Sequence, residues 1–162
     1  MNKIKVIFLD IDGVLRPVTG EAFSKKCIAK LNQLIEQTES KIVISSTWRQ
    51  QGIDYVKEFL YKNGLVGDII DITPILGVSR IWSKFEKYEK IKVPRGLEIK
   101  QWLVDYTNMD QYVESYAIID DSGDMFLSQL DHYVNVEQTK GFDNKCLKDA
   151  ISILNIVDIP TF

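Results

Sequence analysis

The chain has 162 residues, of which 45% are hydrophobic and 27% are charged, and its formal net charge is −3. This size and composition are typical of a globular protein with one core, and we expect a single domain over residues 1–162. The net negative charge excludes a general basic surface that would bind nucleic acid or anionic lipid without specificity.

The cysteine and histidine content excludes the usual zinc sites. Cys27 and Cys146 are far apart in the sequence, and the chain has one histidine, which leaves no Cys/His cluster with ligand spacing. The apolar run near the N-terminus is too short for a signal peptide, and no segment is long enough to span a membrane. We therefore expect a cytoplasmic protein with reduced thiols and no membrane partner.

Strands and helices are predicted to alternate along the chain. Short apolar runs rich in Ile and Val have the length of strands buried on both faces. They cover residues 4–12, 41–46, 67–72 and 116–121, and a weaker run covers 132–138. Amphipathic patterns predict helices at residues 24–38, 52–64, 96–107 and 144–155. This alternation predicts an α/β fold with a doubly wound parallel sheet.

Residues 76–94 interrupt this alternation and predict a small excursion from the core. From Arg80 to Lys100 the chain has seven Lys or Arg against three Glu, with aromatic residues between them. Such a stretch suits single-stranded nucleic acid, because cations contact phosphates and rings stack on bases. It equally describes an amphipathic helix that buries its rings and exposes its lysines, which is the interpretation we favour.

Acidic and hydroxyl side chains lie at the carboxyl ends of three of the predicted strands. Because ligands bind beyond the carboxyl ends of parallel strands, we expect these side chains to lie together. They are Asp10 and Asp12, then Ser45, Ser46 and Thr47, and finally Asp120 and Asp121. Neighbouring carboxylates repel one another unless a cation lies between them, and oxygen ligands alone favour Mg²⁺. The pattern therefore predicts a Mg²⁺ site and phosphoryl chemistry.

The two acids after the first strand suit different roles. One aspartate can attack phosphorus to form an aspartyl-phosphate, which divides a hard displacement into two easier ones. A second acid two residues later can protonate the leaving alcohol and then deprotonate the attacking water. This assignment requires the strand to end between Asp10 and Asp12, and Gly13 favours such a sharp departure.

Four features in this order resemble the motifs of the haloacid dehalogenase (HAD) superfamily: FLDIDGV, KIVISST, a basic residue and YAIIDDSGD. The resemblance implies a Rossmann-like core with Asp10 as nucleophile and metal ligand. It implies Asp12 as acid/base and as a metal ligand through its main-chain carbonyl, as in the phosphatase branch. It also implies Asp121 as the principal metal ligand of the fourth motif, supported by Asp120 and Asp124.

The second and third motifs leave alternatives open. The phosphate-binding hydroxyl is assigned to Ser46, with Ser45 and Thr47 as close competitors. The basic residue is assigned to Arg95, in preference to Lys100 and Lys92. Lys is commoner than Arg at this motif, but a guanidinium also holds phosphate oxygens.

A narrower resemblance joins LDIDGVLRP, SSTWR, RGLEIKQWL, IIDD and the closing NVEQTKGFDNKCLKDAISIL. These segments are similar to the HAD domain associated with Swiss Army Knife RNA-repair proteins. By this likeness Trp48 and Arg49 face the substrate, and SSTWR resembles the serine and arginine pair of polynucleotide 3′-phosphatases. Only about thirty residues separate Asp12 from the second strand, so no large cap domain fits there.

The leading hypothesis is a Mg²⁺-dependent phosphomonoester hydrolase. An open site would admit a large phosphorylated substrate, such as a nucleic-acid end, more readily than a capped one. Two alternatives remain at this point. The first is a small-molecule nucleotidase or sugar phosphatase, and the second is a non-catalytic module of the same fold that binds nucleic acid or protein.

Overall fold

The computed structural model describes residues 3–20, 22–77, 93–109 and 111–156. Within these ranges five strands form one sheet, in which every neighbouring pair is parallel. They are β1 (Lys3–Leu9), β2 (Lys41–Ile44), β3 (Ile69–Ile72), β4 (Tyr112–Asp120) and β5 (Tyr133–Asn135). Their order across the sheet is β3-β2-β1-β4-β5. The parallel sheet that the sequence predicts is confirmed.

Each of the four predicted helices is present. They are α1 (Lys25–Thr38), α2 (Ile53–Lys62), α3 (Arg95–Asn108) and α4 (Asn144–Leu154), and short 3-10 helices occupy Thr47–Gln51 and Leu127–His132. Side chains cap two of the helices at their N-termini, as the orphan N–H groups there require. Ser24 accepts a hydrogen bond from the Cys27 N–H at the start of α1, and Asp143 does the same for two N–H groups of α4.

Helices cover the sheet on both faces. The side chains of β1 point alternately to the two faces and show which helices cover each. Ile7 and Leu9 pack into a cluster to which α1, α2 and α4 contribute. Val6 and Phe8 point to the opposite face and pack against α3, where the Trp102 ring meets Phe8 edge to face at 5.4 Å. Every one of these side chains is buried, so the strand is apolar throughout, as expected for a doubly wound α/β sheet.

The strand order reverses between β1 and β4, and this switch point is where open α/β sheets bind ligands. The parallel hydrogen bonding continues for one residue beyond the ends of β1 and β2. Asp10 donates its N–H to the Ile119 carbonyl at 3.0 Å, and Ser45 donates to the Leu9 carbonyl at 3.0 Å. The pairing therefore brings the ends of β2, β1 and β4 side by side.

The connections around this edge are too short to form a large cap domain. Between β1 and α1 lie residues 10–24, and between β3 and α3 lie residues 73–94. Most of the predicted excursion, with its basic and aromatic residues at 78–92, lies outside the described residues. Trp102, which follows that segment, belongs to the core. None of the helices in the described ranges is both long and apolar enough to cross a membrane.

Candidate active site

Three carboxylates meet at the switch point of the sheet. Asp10, Asp120 and Asp121 each present an oxygen within 4.8 Å of the other two. Asp10 follows β1 directly, Asp120 is the last residue of β4, and Asp121 comes next. The side chain of Asp120 is fully buried and that of Asp10 nearly so. The acids that the sequence places at two strand ends are therefore adjacent in space.

Burial and mutual repulsion make this cluster electrostatically unfavourable when all three groups are charged. Burial and the neighbouring Asp10 raise the pKa of Asp120 to about 6, against the lowering effects of Arg95 and Ser122. The pKa of Asp121 is also raised, chiefly by burial and then by Asp10. A cation between the carboxylates would remove this repulsion.

The donor set of this cluster fits a hard divalent cation. One oxygen of Asp120 accepts hydrogen bonds from the Ser122 N–H at 2.8 Å and the Ser122 hydroxyl at 2.6 Å. Its other oxygen, Oδ2, is buried and has no hydrogen-bond donor among the described residues. Its nearest described cation is Arg95 Nε at 3.7 Å, and a buried carboxylate oxygen without a hydrogen bond, in an all-oxygen group without His or Cys, suits Mg²⁺. The three aspartates could therefore hold a metal ion.

The chain turns sharply after β1, and this separates the two acids of the DxD pair. The strand ends at Leu9, and Gly13 adopts a left-handed conformation with φ of +78°. A Cβ at Gly13 would overlap the Asp121 carboxylate, so glycine is required by both its backbone angle and its neighbour. Asp10 is buried beside the other acids, whereas the side chain of Asp12 is 53% exposed. The chain leaves the strand before Asp12, as predicted, although β1 itself ends one residue ahead of Asp10.

Asp12 has its own partners on the outer side of the turn. The indole Nε1 of Trp48 donates a hydrogen bond to Asp12 Oδ2 at 2.8 Å. Arg16 Nη1 lies 3.6 Å from Asp12 Oδ1, and Gly13 donates its N–H to the Arg16 carbonyl at 2.9 Å. The carboxylate is thus exposed to solvent and oriented by the residues around it.

Arg95, the first residue of α3, reaches the carboxylate cluster. Its Nη1 is 3.4 Å from Asp10 Oδ1, its Nε is 3.7 Å from Asp120 Oδ2, and Nη1 also donates to the Ser45 carbonyl. Among the other basic candidates, Lys100 is exposed on the same helix, and its side chain takes part in none of the described ion pairs. Lys92 lies outside the described residues.

Asp124 anchors α3 and lies outside the carboxylate cluster. Its Oδ2 accepts a hydrogen bond from the Arg95 main-chain N–H at 3.1 Å, and its Oδ1 accepts from the Ser122 hydroxyl at 3.0 Å. Its main-chain carbonyl accepts from the Gly96 N–H at 3.2 Å. Asp124 therefore holds the N-terminus of α3, which carries Arg95. The expectation that Asp124 supports the metal site stays a prediction.

The three hydroxyls after β2 have different environments. Ser46 is buried, and its Oγ accepts from the Trp48 main-chain N–H at 3.4 Å, while its own hydrogen has no acceptor among the described residues. The Ser45 hydroxyl is buried without a hydrogen-bond partner among the described residues. Thr47 is exposed. Ser46 is therefore the hydroxyl with a fixed position and an available donor.

Arg49 is buried and turned toward the protein interior. Its guanidinium donates to the carbonyls of Ser45, Ser46 and Thr73 and forms an ion pair with Glu98 at 2.5 Å. Burial lowers the pKa of Arg49, although Glu98 opposes this effect. The side chain is 4% exposed and makes four hydrogen bonds to protein acceptors, which argues against the prediction that Arg49 faces the substrate.

Glu98 is the component of the site that the sequence prediction missed. It is buried in the first turn of α3, and its second oxygen accepts from the Leu76 N–H at 3.2 Å. The available signal was its spacing with Ile99 and Trp102, which places an acid on the apolar face of the helix. An acid in that position needs a buried cation as its partner.

The model of one protein family matches most of the chain. That family is described as the HAD domain in Swiss Army Knife RNA repair proteins, and the match covers residues 6–147. The matched region includes both acidic strand ends, the β2 loop and the start of α3. No curated protein and no solved structure has significant similarity to the chain.

Proposed function

Since the chain belongs to the family of HAD domains found in Swiss Army Knife RNA repair proteins, we propose that it is a Mg²⁺-dependent phosphomonoester hydrolase that forms an aspartyl-phosphate. Family membership supports a HAD-type hydrolase. The observation that carries the finer proposal is the buried cluster of Asp10, Asp120 and Asp121 next to the Arg95 guanidinium. Fixed cations and carboxylates in this arrangement suit phosphoryl transfer.

The metal would be held by the three clustered carboxylates. Asp121 and Asp10 are the proposed principal ligands, with Asp120 beside them and the Asp12 main-chain carbonyl as a further oxygen. When bound, Mg²⁺ supplies positive charge that offsets the negative charge of the carboxylates and of a phosphoryl group. Every donor in this set is an oxygen, which agrees with that choice of ion.

Asp10 is the proposed nucleophile. It is buried at the switch point, and a phosphoryl group joined to it would lie beside Arg95, whose Nη1 is 3.4 Å from Asp10 Oδ1. Guanidinium groups bind phosphate oxygens through several N–H donors. Ser46 is proposed to donate its hydroxyl to another phosphoryl oxygen, with Ser45 and Thr47 as the alternatives. Together these donors would stabilise charge on the equatorial oxygens of the transition state.

Asp12 is the proposed general acid and base. Its carboxyl is exposed on the outer side of the turn, where a leaving alcohol or an entering water can reach it. The neighbouring Asp10 is enclosed, so the two acids of the DxD pair have environments that match their separate roles. This difference supports the assignment of attack on phosphorus to Asp10 and of proton transfer to Asp12.

The proposed substrate is a phosphorylated nucleic-acid end. Its chemistry agrees with the family description, which refers to RNA repair. The connections of residues 10–24 and 73–94 are too short for a large cap, so the described site can admit a large substrate.

A phosphatase assay with a defined substrate set tests this function. The purified chain is incubated with Mg²⁺ and p-nitrophenyl phosphate, with 3′- and 5′-phosphorylated oligoribonucleotides, and with mononucleotides. We expect hydrolysis that EDTA stops and that Asp10→Asn abolishes. Asp54→Asn, which changes an exposed acid on α2, is the matched control and should retain activity.

The outcomes of this assay separate the proposals. Preference for an oligonucleotide over a mononucleotide supports the nucleic-acid end, and the reverse preference supports a small-molecule phosphatase. Full activity in Asp10→Asn contradicts the nucleophile. Absence of turnover across the whole set, with oligonucleotide binding that survives Asp10→Asn, would instead support a non-catalytic binding module.

A further inference from the structure

An indole group fixes an acid that would otherwise rotate freely in solvent. The side chain of Asp12 is 53% exposed, and exposed carboxylates commonly sample several rotamers. Here Trp48 Nε1 donates to Asp12 Oδ2 at 2.8 Å, a length typical of a hydrogen bond to a charged acceptor. The two residues are 36 positions apart in the sequence, so the contact depends on the tertiary fold.

Trp48 is itself held in place from several directions. Its ring lies 5.0 Å from the Phe59 ring and 5.8 Å from the Phe23 ring, both in edge-to-face contact. Its main-chain N–H donates to the Ser46 hydroxyl at the start of the 3-10 helix. The next residue, Arg49, ties this helix to the interior through the Thr73 carbonyl and the Glu98 carboxylate. The indole is therefore a pre-organised donor, which loses little conformational entropy when it bonds to Asp12.

The indole makes the two oxygens of Asp12 different from each other. The indole N–H can only donate, so it favours the carboxyl form in which Oδ2 is the unprotonated oxygen. The proton then belongs on Oδ1. Arg16 Nη1 is 3.6 Å from that oxygen, beyond hydrogen-bond distance, and its side chain is 42% exposed. Oδ1 is therefore the oxygen that remains available to a reacting group.

We propose that Trp48 is a positioning residue that holds Asp12 Oδ2, so that Oδ1 transfers the proton in both halves of the reaction. This inference rests on the proposed hydrolase function. In the first half, Asp10 bonds to phosphorus, the bond to the leaving oxygen breaks, and the Oδ1 proton passes to that oxygen. In the second half, water bonds to phosphorus, its proton passes to Oδ1, and the bond to Asp10 breaks.

This role differs from the direct contact with the substrate that the family resemblance implies for Trp48. Phe23 and Phe59 occupy positions around the indole, and its one N–H group is committed to Asp12. Trp48 therefore acts on a substrate through Asp12. Removal of its N–H should then lower kcat/KM most for esters whose leaving group needs a proton.

A series of leaving groups tests this role with the variant Trp48→Phe. Phe keeps an aromatic ring between its neighbours and removes the donor. We expect kcat/KM to fall on the order of tenfold for phenyl phosphate, because a hydrogen bond to a charged group is lost. For p-nitrophenyl phosphate, whose phenolate leaves more readily without a proton, we expect a fall of less than about threefold.

If Trp48 only supported the structure, Trp48→Phe would lower kcat/KM equally for all esters. Val113→Ala removes a buried side chain near the start of β4, in the core cluster on the face of the sheet opposite Trp48, so it is the control for a general loss of structure. Its kcat/KM should keep the wild-type dependence on the leaving group. An equal loss for all esters in Trp48→Phe, or no loss for any ester, would overturn the proposal.

A measurement that does not depend on turnover tests the contact itself. In ¹⁵N-labelled protein, the indole N–H signal that disappears in Trp48→Phe belongs to Trp48. We expect this signal to move in Asp12→Asn and to stay in place in Asp54→Asn. An unmoved signal in Asp12→Asn overturns the positioning role even in an active enzyme. If no ester is hydrolysed, the proposed function and the proton-transfer role both fail, and the signal still decides whether Trp48 holds Asp12.

Discussion

Arg49 and Glu98 form a buried ion pair that joins the turn after β2 to the first turn of α3. Their Nη2 and Oε2 atoms are 2.5 Å apart, and their side chains are 4% and 8% exposed. A buried pair contributes to stability only when its other polar atoms also find partners. Here three carbonyls accept from Arg49, and the Leu76 N–H donates to Glu98. Arg95 is one turn away on α3, so this pair also supports the cation next to the proposed nucleophile.

Glu98→Gln should destabilise the protein strongly. The substitution keeps the shape of the side chain and removes its charge, which leaves the Arg49 guanidinium buried without a counter-ion. We expect the free energy of unfolding to fall by about 3 kcal/mol or more, as measured by urea denaturation. The surface pair of Lys145 and Asp149, at 3.6 Å, supplies the control. Lys145→Met should change stability by less than ~1 kcal/mol, and an equal loss in the two variants would show that burial of the pair is unimportant.

The carboxylate cluster should make stability depend on pH in opposite directions with and without Mg²⁺. The pKa of Asp120 is raised to about 6 in the folded chain, from an ordinary value of 3.8. The folded state therefore binds this proton more tightly than the unfolded state does. The resulting stability is fully present below pH ~4 and is lost as the pH rises through ~6. Asp121, whose pKa is also raised, acts in the same direction.

Mg²⁺ should reverse this loss, because it binds the ionised carboxylates in the folded state. We expect the rise in Tm on addition of Mg²⁺ to be larger at pH 8 than at pH 5, as measured by differential scanning fluorimetry. Asp121→Asn should reduce that rise at pH 8, whereas Glu58→Gln, at an exposed position of α2, should leave it unchanged. A rise of the same size at both pH values would argue against metal binding by this cluster.

The sequence predicts the fold well because its signals are local. Each helix has an amphipathic periodicity and each strand a short apolar run, and each is present within a few residues of its predicted bounds. The main difference is β4, which is predicted at 116–121 and observed at Tyr112–Asp120. Its first residues alternate between exposed and buried, and they pair with Lys3 and Ile4 of β1. That pairing is a tertiary contact, and the apolar run alone does not contain it.

The candidate site is predictable only where it follows from strand ends. Asp10 and Asp120 are near one another because parallel strands end at the same edge, which sequence order already implies. The partners of Arg49 and Trp48 depend on how the turn after β2 packs. The sequence resemblance places both residues near a substrate. In the structure, the Arg49 guanidinium pairs with Glu98, and the Trp48 indole donates to Asp12. Such contacts depend on how distant segments pack together, and a local sequence pattern does not predict that packing.

Ser46→Ala should weaken phosphate binding more than it weakens the fold. Its hydroxyl accepts one long hydrogen bond, at 3.4 Å, so we expect loss of this cap to cost less than ~1 kcal/mol. Loss of a donor to a charged phosphoryl oxygen should raise the inhibition constant of inorganic phosphate by about tenfold. Thr47→Val tests the exposed alternative and should change that constant little, and Glu58→Gln, at an exposed position of α2, is the control. A larger effect in Ser45→Ala than in Ser46→Ala would move the assignment to Ser45.

Gly13→Ala should damage both the fold and the metal site. Alanine at φ of +78° is strained, which costs about 1–2 kcal/mol, and its Cβ would also overlap the Asp121 carboxylate. Gly64 separates these two effects, because it has φ of +96° and nothing within 4 Å of an added Cβ. Urea denaturation should therefore show a larger loss of stability for Gly13→Ala than for Gly64→Ala. Isothermal titration with Mg²⁺ should show weaker binding in Gly13→Ala alone, and equal binding in both variants would mean that Asp121 moves aside without leaving the metal site.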